Sequence, residues 1–231
     1  MAQGQAAIDQ AVRARLTLPP LREESLKIGP DGITRGRYLL TFSRRALLPG
    51  PKARFEALAR DLGLDAAVLA PYVDVANAVH VGMEPETRTK LYLEFPPPQE
   101  PETDLAFLAV KHDHRVNRYL RIGHLSHAAK AKLLNAILPD SPGRRTAMEC
   151  LQFGGHVLQV TEEGSSRHSI DIHLADAKLT VGELPGLSGL LAGQVDDLQD
   201  IRHMNLGHFA CGIGRDGYPF ATLYYGGRHD P

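Results

Sequence analysis

The residues with the clearest chemistry lie in segment 87–95, where charged and phenolic side chains alternate with apolar ones. This period of two predicts a β-strand, because successive side chains of a strand point to opposite faces. One face carries Arg88, Lys90, Tyr92 and Glu94. Neighbours on one face are about 7 Å apart. The cationic and phenolic members therefore form a row of hydrogen-bond donors that suits a polyanion, above all a diphosphate.

The same pattern recurs further along the chain. Lys178 and Thr222 take the position of Lys90 in segments that align with residues 89–93. The spacing from Lys90 to Lys178 is 88 residues, twice the 44 residues from Lys178 to Thr222. Recurrence at a fixed spacing predicts a repeated supersecondary unit. The repeat is imperfect, because Leu134, where another copy should fall, lies in a helical pattern.

The overall composition is that of a folded protein without a strong charge. The chain has 231 residues, of which 43% are hydrophobic, as is typical of globular domains. Its 26 basic and 27 acidic side chains give a formal net charge of −1, so no global attraction to nucleic acid or an anionic membrane is expected. We therefore expect a local anion site, with neither nucleic acid nor membrane as a partner.

The cysteines and the N-terminal residues predict a cytoplasmic protein. Cys150 and Cys211 have no metal-binding or redox spacing, so we expect two reduced, buried thiols. The first residues lack the basic and apolar regions of a signal peptide. No apolar run approaches the length of a membrane span. We expect a monomer.

Hairpins and helices alternate along the chain. The predicted elements are an N-terminal helix or arm within residues 1–20, a strand at 36–43, helices at 51–62 and 65–77, hairpins at 78–95 and 105–125, a helix at 126–138, a helix containing Met148, Leu151 and Val157, a hairpin at 167–181, a helix at 186–201 and a hairpin at 206–225. Because no linker divides these elements, we predict one domain over 1–231, with residues 1–34 as an N-terminal arm or short helix.

Antiparallel hairpins separated by helices predict an α+β fold with a closed barrel. About ten strands in one sheet have to curl or close. With helices outside the barrel, apolar strand faces point outward and polar faces point into the lumen. The predicted outward residues are consistently apolar: Val79, Val81, Leu91, Leu93, Leu120, Ile122, Ile170, Ile172, Leu174, Leu179, Val181 and Leu223. The predicted inward residues are Arg37, His80, Glu84, Arg88, Lys90, Tyr92, Tyr119, Arg121, Asp171, His173, Lys178, Thr180 and Tyr224.

Over residues 35–226 the chain resembles the ABBA-type aromatic prenyltransferases, which are ten-stranded barrels of αββα repeats with the active site inside. The family's Arg-x-Lys-x-Tyr pattern is matched by Arg88, Lys90 and Tyr92. The segments around Lys178 and Thr222 look like weaker copies, as do the hairpin segments 169–179 and 212–224. The chain is short for the family, and threonines at 180 and 222 replace the Tyr and Lys of its pattern.

The resemblance implies transfer of an allylic isoprenyl group from its diphosphate to an electron-rich acceptor. The residues implied as diphosphate ligands are Arg37, Arg88, Lys90, Arg121 and Lys178. Tyr92, Tyr119 and Tyr224 would shield the allylic cation through their π faces. His80, Glu84 and Asp171 are alternatives for the group that orients the acceptor and takes its proton. The implied donor is dimethylallyl or geranyl diphosphate, and the implied acceptor is an aromatic small molecule or a peptide side chain.

No cofactor is required by this chemistry. The histidines form two local groups, His112 with His114 and His168 with His173. Their spacing matches no closed metal site, so no metal ligands are predicted. Mg²⁺ bridging Asp171 and the diphosphate is an option rather than a requirement, because basic side chains can replace it.

Three other interpretations stay open. A tunnel-type, metal-dependent phosphohydrolase would bind a triphosphate in a similar barrel, but it needs several inward carboxylates. A non-catalytic ligand- or peptide-binding barrel would keep the basic strand and show no turnover. In a plain α+β fold the basic faces would lie in solvent.

Overall fold

A computed structural model describes residues 2–85, 88–97, 104–153, 155–191 and 198–229. Within these ranges each strand pairs with its sequence neighbours, and the first pairs with the last, so that the sheet closes into a barrel. The predicted α+β fold, a closed antiparallel barrel of about ten strands, is confirmed. The strands are β1 (Leu21–Gly29), β2 (Gly32–Ser43), β3 (Ala78–Met83), β4 (Thr89–Glu94), β5 (Leu105–Lys111), β6 (Val116–Arg121), β7 (Val157–Glu162), β8 (His168–His173), β9 (Leu206–Ile213) and β10 (Pro219–His229).

Helices and short 3-10 turns connect the strands. The α-helices are α1 (Ala2–Arg15), α2 (Pro51–Asp61), α3 (His127–Ile137), α4 (Pro142–Cys150) and α5 (Leu187–Leu190). The 3-10 turns are Arg44–Leu47, Ala70–Val75, Leu151–Phe153, Ala175–Ala177 and Val181–Glu183. No helix within the described ranges is long and apolar enough to cross a membrane.

The chain divides into two compact units. The first consists of Met1–Glu23, Gly36–Tyr119 and Arg228–Pro231, and the second of Glu24–Arg35 and Leu120–Gly227. Each unit has its own hydrophobic core. The prediction of a single domain over 1–231 stays a prediction.

In the first unit, helix α2 covers the apolar face of the sheet. Pro51 starts this helix, where its missing N–H costs nothing. Phe55, Leu58 and Ala59 recur at helical spacing and are buried. They share one core with the strand residues Val79, Val81, Leu91 and Leu93. Because strand side chains alternate, the polar residues of β3 and β4 point to the opposite face of the sheet.

In the second unit, helices α3 and α4 cover the apolar face. Ser126 Oγ accepts a hydrogen bond from Ala129 N, and Ser141 Oγ accepts one from Arg144 N, both at 3.2 Å. These caps satisfy N–H groups that a helix start leaves open. The core contains the helix residues Leu134, Ile137, Ala147 and Cys150 and the strand residues Ile170, Ile172, Phe209 and Leu223.

The predicted packing of the apolar strand faces against helices is therefore confirmed. Of the apolar residues predicted to point outward, all are buried except Leu120 and Leu179, which are half-buried. The helices predicted at 51–62 and 126–138 and the hairpins predicted at 78–95, 105–125 and 206–225 are confirmed within a few residues.

Two predictions in the N-terminal third are wrong. Residues 21–34 are not an arm, because they form β1 and the start of β2, joined by a turn at residues 30–31. Gly32, which follows the turn, has a φ of 102° that favours glycine. The helix predicted at 65–77 is only a 3-10 turn over Ala70–Val75. Asp65 Oδ1 accepts a hydrogen bond from Ala67 N at 3.0 Å, which closes a local turn rather than starting a long helix.

Two further predictions fail in the second unit. The helix predicted to include Val157 ends at Cys150, and Val157 begins β7. The hairpin predicted at 167–181 is formed instead by β7 and β8. After β8 the regular strand ends: Lys178 adopts a left-handed φ of 55°, Thr180 forms an isolated β-bridge with Asn205, and Thr180 with Glu183 forms a capping box for the next 3-10 turn. Of the helix predicted at 186–201, Leu187–Leu190 is helical, and residues 192–197 lie outside the described ranges.

Both cysteines are free and buried, as predicted. Burial raises the pKa of the Cys150 thiol to about 12, and the nearby charge of Glu149 adds to the effect. Burial also raises the pKa of Cys211, with smaller contributions from Cys150 and Asp171. Since the thiolate is the reactive form, neither thiol is activated.

We therefore expect the native protein to resist a thiol-specific reagent at mildly alkaline pH and both thiols to react after unfolding in denaturant. Counting released chromophore before and after unfolding measures this. The free amino acid cysteine at the same pH is the control for reagent activity. Rapid labelling of the native chain would contradict the burial of these thiols.

Candidate active site

Three charged side chains of the first unit meet on the sheet face opposite α2. Arg37 Nη2 donates a hydrogen bond to Glu84 Oε1 at 2.9 Å, and Lys90 Nζ donates to the same oxygen. The side chains of Arg37 and Lys90 are only 10% and 12% exposed. Two largely buried cations thus share one carboxylate, and the three groups, which we call the charged layer, carry a formal net charge of +1.

The charged layer has unused donor capacity. Arg37 Nε is buried and makes no hydrogen bond within the described ranges. Because buried donors are normally satisfied, this atom indicates a partner beyond the described residues, such as a bound ligand. An anion is the natural partner for a guanidinium.

Lys111 also belongs to this face, and sequence reasoning missed it. It lies directly opposite Lys90 in the register of β4 and β5 and is 2% exposed. Residues directly opposed in antiparallel strands share a face. Lys111 follows Phe107 and Ala109 at a spacing of two residues, which would place all three side chains on one face. Because β5 is apolar almost throughout, its sequence does not show which face is the polar one.

Aromatic side chains form a second layer on the same face. Tyr92 contacts His80 and Tyr119, with ring centroids 6.3 Å and 5.9 Å apart, and Phe107 contacts the same two rings at 5.3 Å and 5.7 Å. Most of these pairs meet edge to face, a favourable arrangement for aromatic quadrupoles. His80, Tyr92 and Tyr119 are therefore brought together as the sequence predicted, and Phe107 is an addition.

Gly82 makes room for this aromatic layer. It lies opposite Lys90 in the register, and a methyl group at its Cβ position would come within 3.3 Å of Tyr92 Cε2 and 3.4 Å of Lys90 Cβ. The Tyr92 ring thus occupies the space that a side chain would fill. The absence of a side chain at residue 82 places the phenol beside the charged layer.

His80 is held by two polar contacts. Its Nδ1 lies 2.8 Å from Thr41 Oγ1, and its Nε2 lies 2.9 Å from Glu94 Oε2. The imidazole is buried, whereas the Glu94 side chain is 36% exposed. A histidine oriented by a carboxylate is a common arrangement for moving a proton. The strand pattern places Glu94 on the polar face but predicts no role for it.

Arg88 differs from the prediction in position. Strand β4 begins at Thr89, so Arg88 precedes it, and Arg88 is exposed. Glu84 N donates a hydrogen bond to Arg88 O at 2.9 Å, which closes the β3–β4 connection. Thr87, predicted as the first strand residue, lies outside the described ranges. The role of Arg88 as a diphosphate ligand stays a prediction.

In the second unit, polar residues meet on strands β8, β9 and β10. His173 lies opposite His208, and His208 lies opposite Tyr224. Ring centroids of His173 and His208 are 3.8 Å apart, and those of His208 and Tyr224 are 5.6 Å apart. Asp171 Oδ1 lies 3.4 Å from His208 Nδ1. Sequence reasoning missed His208, although the buried Phe209 and Cys211 that alternate with it indicate its face.

Asp171 is buried, yet it is held as a carboxylate. Burial raises its pKa, but the polar contact with His208 and the charges of His208 and His173 outweigh burial, so that the pKa lies below its ordinary value. Asp171 Oδ1 accepts no hydrogen bond of good geometry from the described part of the chain.

The other predicted diphosphate ligands of the second unit have different surroundings. Arg121 is half-buried and is the last residue of β6. Lys178 is exposed and lies at the left-handed end of a 3-10 turn, so the prediction that it lies on a strand is wrong. Thr222 is buried and lies opposite Ala210 in the β9–β10 register. The predicted roles of Arg121 and Lys178 are not tested by these positions.

Solved structures resemble this barrel. The 5-dimethylallyltryptophan synthase from Streptomyces coelicolor matches with a TM-score of 0.59 and 14% identity, over 89% of this chain and 80% of that chain. The chain has the ABBA prenyltransferase fold. The same synthase in complex with DMASPP and Trp matches with a TM-score of 0.57 and 14% identity, over 89% of this chain and 78% of that chain. AnaPT from Neosartorya fischeri matches with a TM-score of 0.55 and 14% identity, over 90% of this chain and 78% of that chain.

At this identity the likeness shows the fold alone. No protein-family model matches the chain, and no curated protein matches its sequence.

Glu84→Gln tests the charged layer. We expect the variant to lose about 1–3 kcal/mol of unfolding free energy at neutral pH, because two largely buried cations lose their shared counter-charge. Urea unfolding measures the change. Asp74→Asn, which removes an exposed carboxylate of the same unit, should leave stability unchanged. Equal stability of Glu84→Gln and wild type would contradict the arrangement.

Proposed function

We propose that this chain is a prenyltransferase that moves an allylic isoprenyl group from its diphosphate to an electron-rich aromatic or peptide side-chain acceptor. The observation that carries the proposal is that the charged layer and the aromatic layer lie next to each other on one face of the sheet. Lys90 of the charged layer and Tyr92 of the aromatic layer are two residues apart on β4. An allylic diphosphate needs both surfaces, a cationic one for its leaving group and an aromatic one for its carbon chain.

The charged layer would stabilise the leaving group. When the C–O bond of the allylic diphosphate breaks, the diphosphate keeps the electron pair and its negative charge grows. Arg37 and Lys90 are fixed in advance by Glu84, so they need little reorganisation to meet that charge. Lys111 adds a further cationic side chain to the same face.

The aromatic layer would protect the allylic cation. The faces of Tyr92, Tyr119 and Phe107 carry negative quadrupole charge, which attracts a cation. Their packing also keeps water from the carbon that reacts. The cation is then captured by the acceptor, whose electron pair forms the new bond.

The acceptor must lose a proton to complete the transfer. Of the predicted bases in the first unit, Glu84 is occupied by two cations, whereas His80 is paired with one carboxylate, Glu94. We assign the proton to His80 Nδ1, which receives it through the Thr41 hydroxyl 2.8 Å away as that hydroxyl takes the proton of the acceptor, while Nε2–H donates to Glu94, which stabilises the imidazolium that forms. Asp171 in the second unit stays an alternative for orienting the acceptor.

The choice of first ligands follows from the structural likeness. The Streptomyces coelicolor synthase was solved with DMASPP and Trp, which supports dimethylallyl diphosphate and indole compounds as the first pair to test. Phenols, imidazoles and peptides with aromatic side chains extend the set of acceptors. A mass increase of the acceptor by one isoprenyl group would show transfer, and its absence with every acceptor would favour a non-catalytic binding protein.

Removing the cations should weaken diphosphate binding. We expect Arg37→Ala and Lys90→Ala each to lower the affinity for dimethylallyl S-thiolodiphosphate by about ten- to a hundredfold, because each removes a charge-assisted hydrogen bond. Calorimetric titration measures the affinity. Arg37→Lys should restore part of it.

Arg60→Ala is the matched control, since Arg60 is exposed on α2, and its affinity should equal that of wild type. Arg88→Ala, tested in parallel, shows whether Arg88, which matches the family's sequence pattern but is not part of the charged layer, also contributes to the affinity for the diphosphate. Unchanged affinity in the Arg37 and Lys90 variants would place the diphosphate site elsewhere.

Chelation separates transfer from metal-dependent hydrolysis. We expect the affinity for the thiolodiphosphate to be the same with and without EDTA, because protein cations rather than Mg²⁺ neutralise the diphosphate. The same titration, repeated after added Mg²⁺, measures the difference. Binding that requires Mg²⁺, together with phosphate release in its presence, would favour a phosphohydrolase instead.

A further inference from the structure

A cluster of three metal-ligating side chains lies in the second unit and shares no residue with the charged and aromatic layers. We propose that Asp171, His173 and His208 bind one divalent transition-metal ion, of which Zn²⁺ is the best fit. The proposal concerns binding of an ion and does not rest on prenyl transfer.

The register of the sheet brings the three side chains together. Asp171 and His173 are two residues apart on β8, so they share a face, and His208 lies directly opposite His173 on β9. Each residue offers one ligand atom, and these atoms all lie within 4.8 Å of one another. Strands hold the three backbones, so small side-chain rotations are sufficient to close the set around an ion.

The ligand types select the ion. Two imidazole nitrogens and one carboxylate oxygen suit Zn²⁺, Co²⁺ or Ni²⁺, whereas Mg²⁺ prefers oxygen ligands alone. Three protein ligands leave a fourth position of a tetrahedral Zn²⁺ for water or another small ligand. Tyr224 is the cross-strand neighbour of His208, so that a bound ion would lie close to a phenol.

The electrostatics of the cluster also favour a cation. Asp171 is 8% exposed, and its Oδ1 is buried without a well-formed hydrogen bond from the described residues. A buried carboxylate oxygen without such a partner is costly, and a bound cation removes that cost.

The test is titration of the full chain, first freed of metal with EDTA and dialysed, with Zn²⁺ by calorimetry and with Co²⁺ by visible absorption. We expect one tight site per chain and the intense d–d bands of tetrahedral Co²⁺. His173→Ala, His208→Ala and Asp171→Asn should each weaken binding by more than about a hundredfold, because loss of a hydrogen-bond partner of a ligand alone costs about ten- to a hundredfold.

Two controls separate this site from binding by other histidines. His112→Ala/His114→Ala removes an exposed pair in the β5–β6 turn, and His168→Ala removes a β8 histidine whose Nε2 lies 2.7 Å from Gln159 Nε2. Both should bind Zn²⁺ like wild type. His208→Gln, which keeps most of the side-chain volume, serves if an alanine variant fails to fold.

Loss of tight binding in the cluster variants with retention in the controls would support the site. Absence of a tight site in wild type would overturn the proposal, and so would equal affinity in the cluster variants. Neither result bears on diphosphate affinity, which is measured separately at Arg37 and Lys90.

Discussion

The structure depends on one constraint, the packing of apolar strand faces against helices. Val79, Val81, Leu91 and Leu93 are fully buried with α2 in one core. At about 25 cal/mol per Å² of apolar surface, burial of each of these side chains outweighs the contribution of a single exposed ion pair. Because side chains alternate along a strand, burial of the apolar residues on one face places the polar residues on the other face. The polar side of the sheet is thus a consequence of where the hydrophobic residues pack.

That side collects charges that would be costly if they were not matched. Arg37 and Lys90 are largely buried cations, and Glu84 compensates both through one oxygen. Breaking a buried pair by removing one partner is strongly destabilising, whereas replacing the entire set by apolar residues is often neutral. Keeping three charged groups here is therefore poorly explained by stability. Preorganised donors for an anionic ligand provide a physical reason for their presence.

Much of the fold was predictable from alternation, and the failures have local causes. The alternation in β4 is clean, and β3, β4, β9 and β10 were predicted within a few residues. Segment 178–181 also alternates, but a left-handed backbone at Lys178 and the Thr180–Glu183 capping box limit it to an isolated β-bridge between Thr180 and Asn205. Local hydrogen bonding by a short polar side chain competes with sheet formation, and a period-two pattern does not contain that information.

The candidate site was predictable where a strand is amphipathic and hidden where it is not. His80, Glu84, Lys90 and Tyr92 were identified because their neighbours are aliphatic. Lys111 was missed because β5 is apolar on both faces, as a strand buried on both sides must be. Pairing with Glu84 also requires knowledge of which strands are adjacent, and one strand's sequence does not specify this. Register, rather than composition, assembles the charged layer.

Both units place a small set of polar residues on the sheet face opposite the helices, one set suited to an anion and the other to a cation. In each, a helix layer fixes the apolar face, and period two then presents a short set of polar residues on the other face. In the first unit these residues are Arg37 and Lys90 around a single carboxylate, an arrangement suited to an anion. In the second they are Asp171, His173 and His208, an arrangement suited to a cation. Since the backbone geometry of the strands is alike in both, the residue types at a few inward positions decide which ion each face can bind. The two units therefore share a way of presenting polar residues, while the chemistry of each is set by its own side chains.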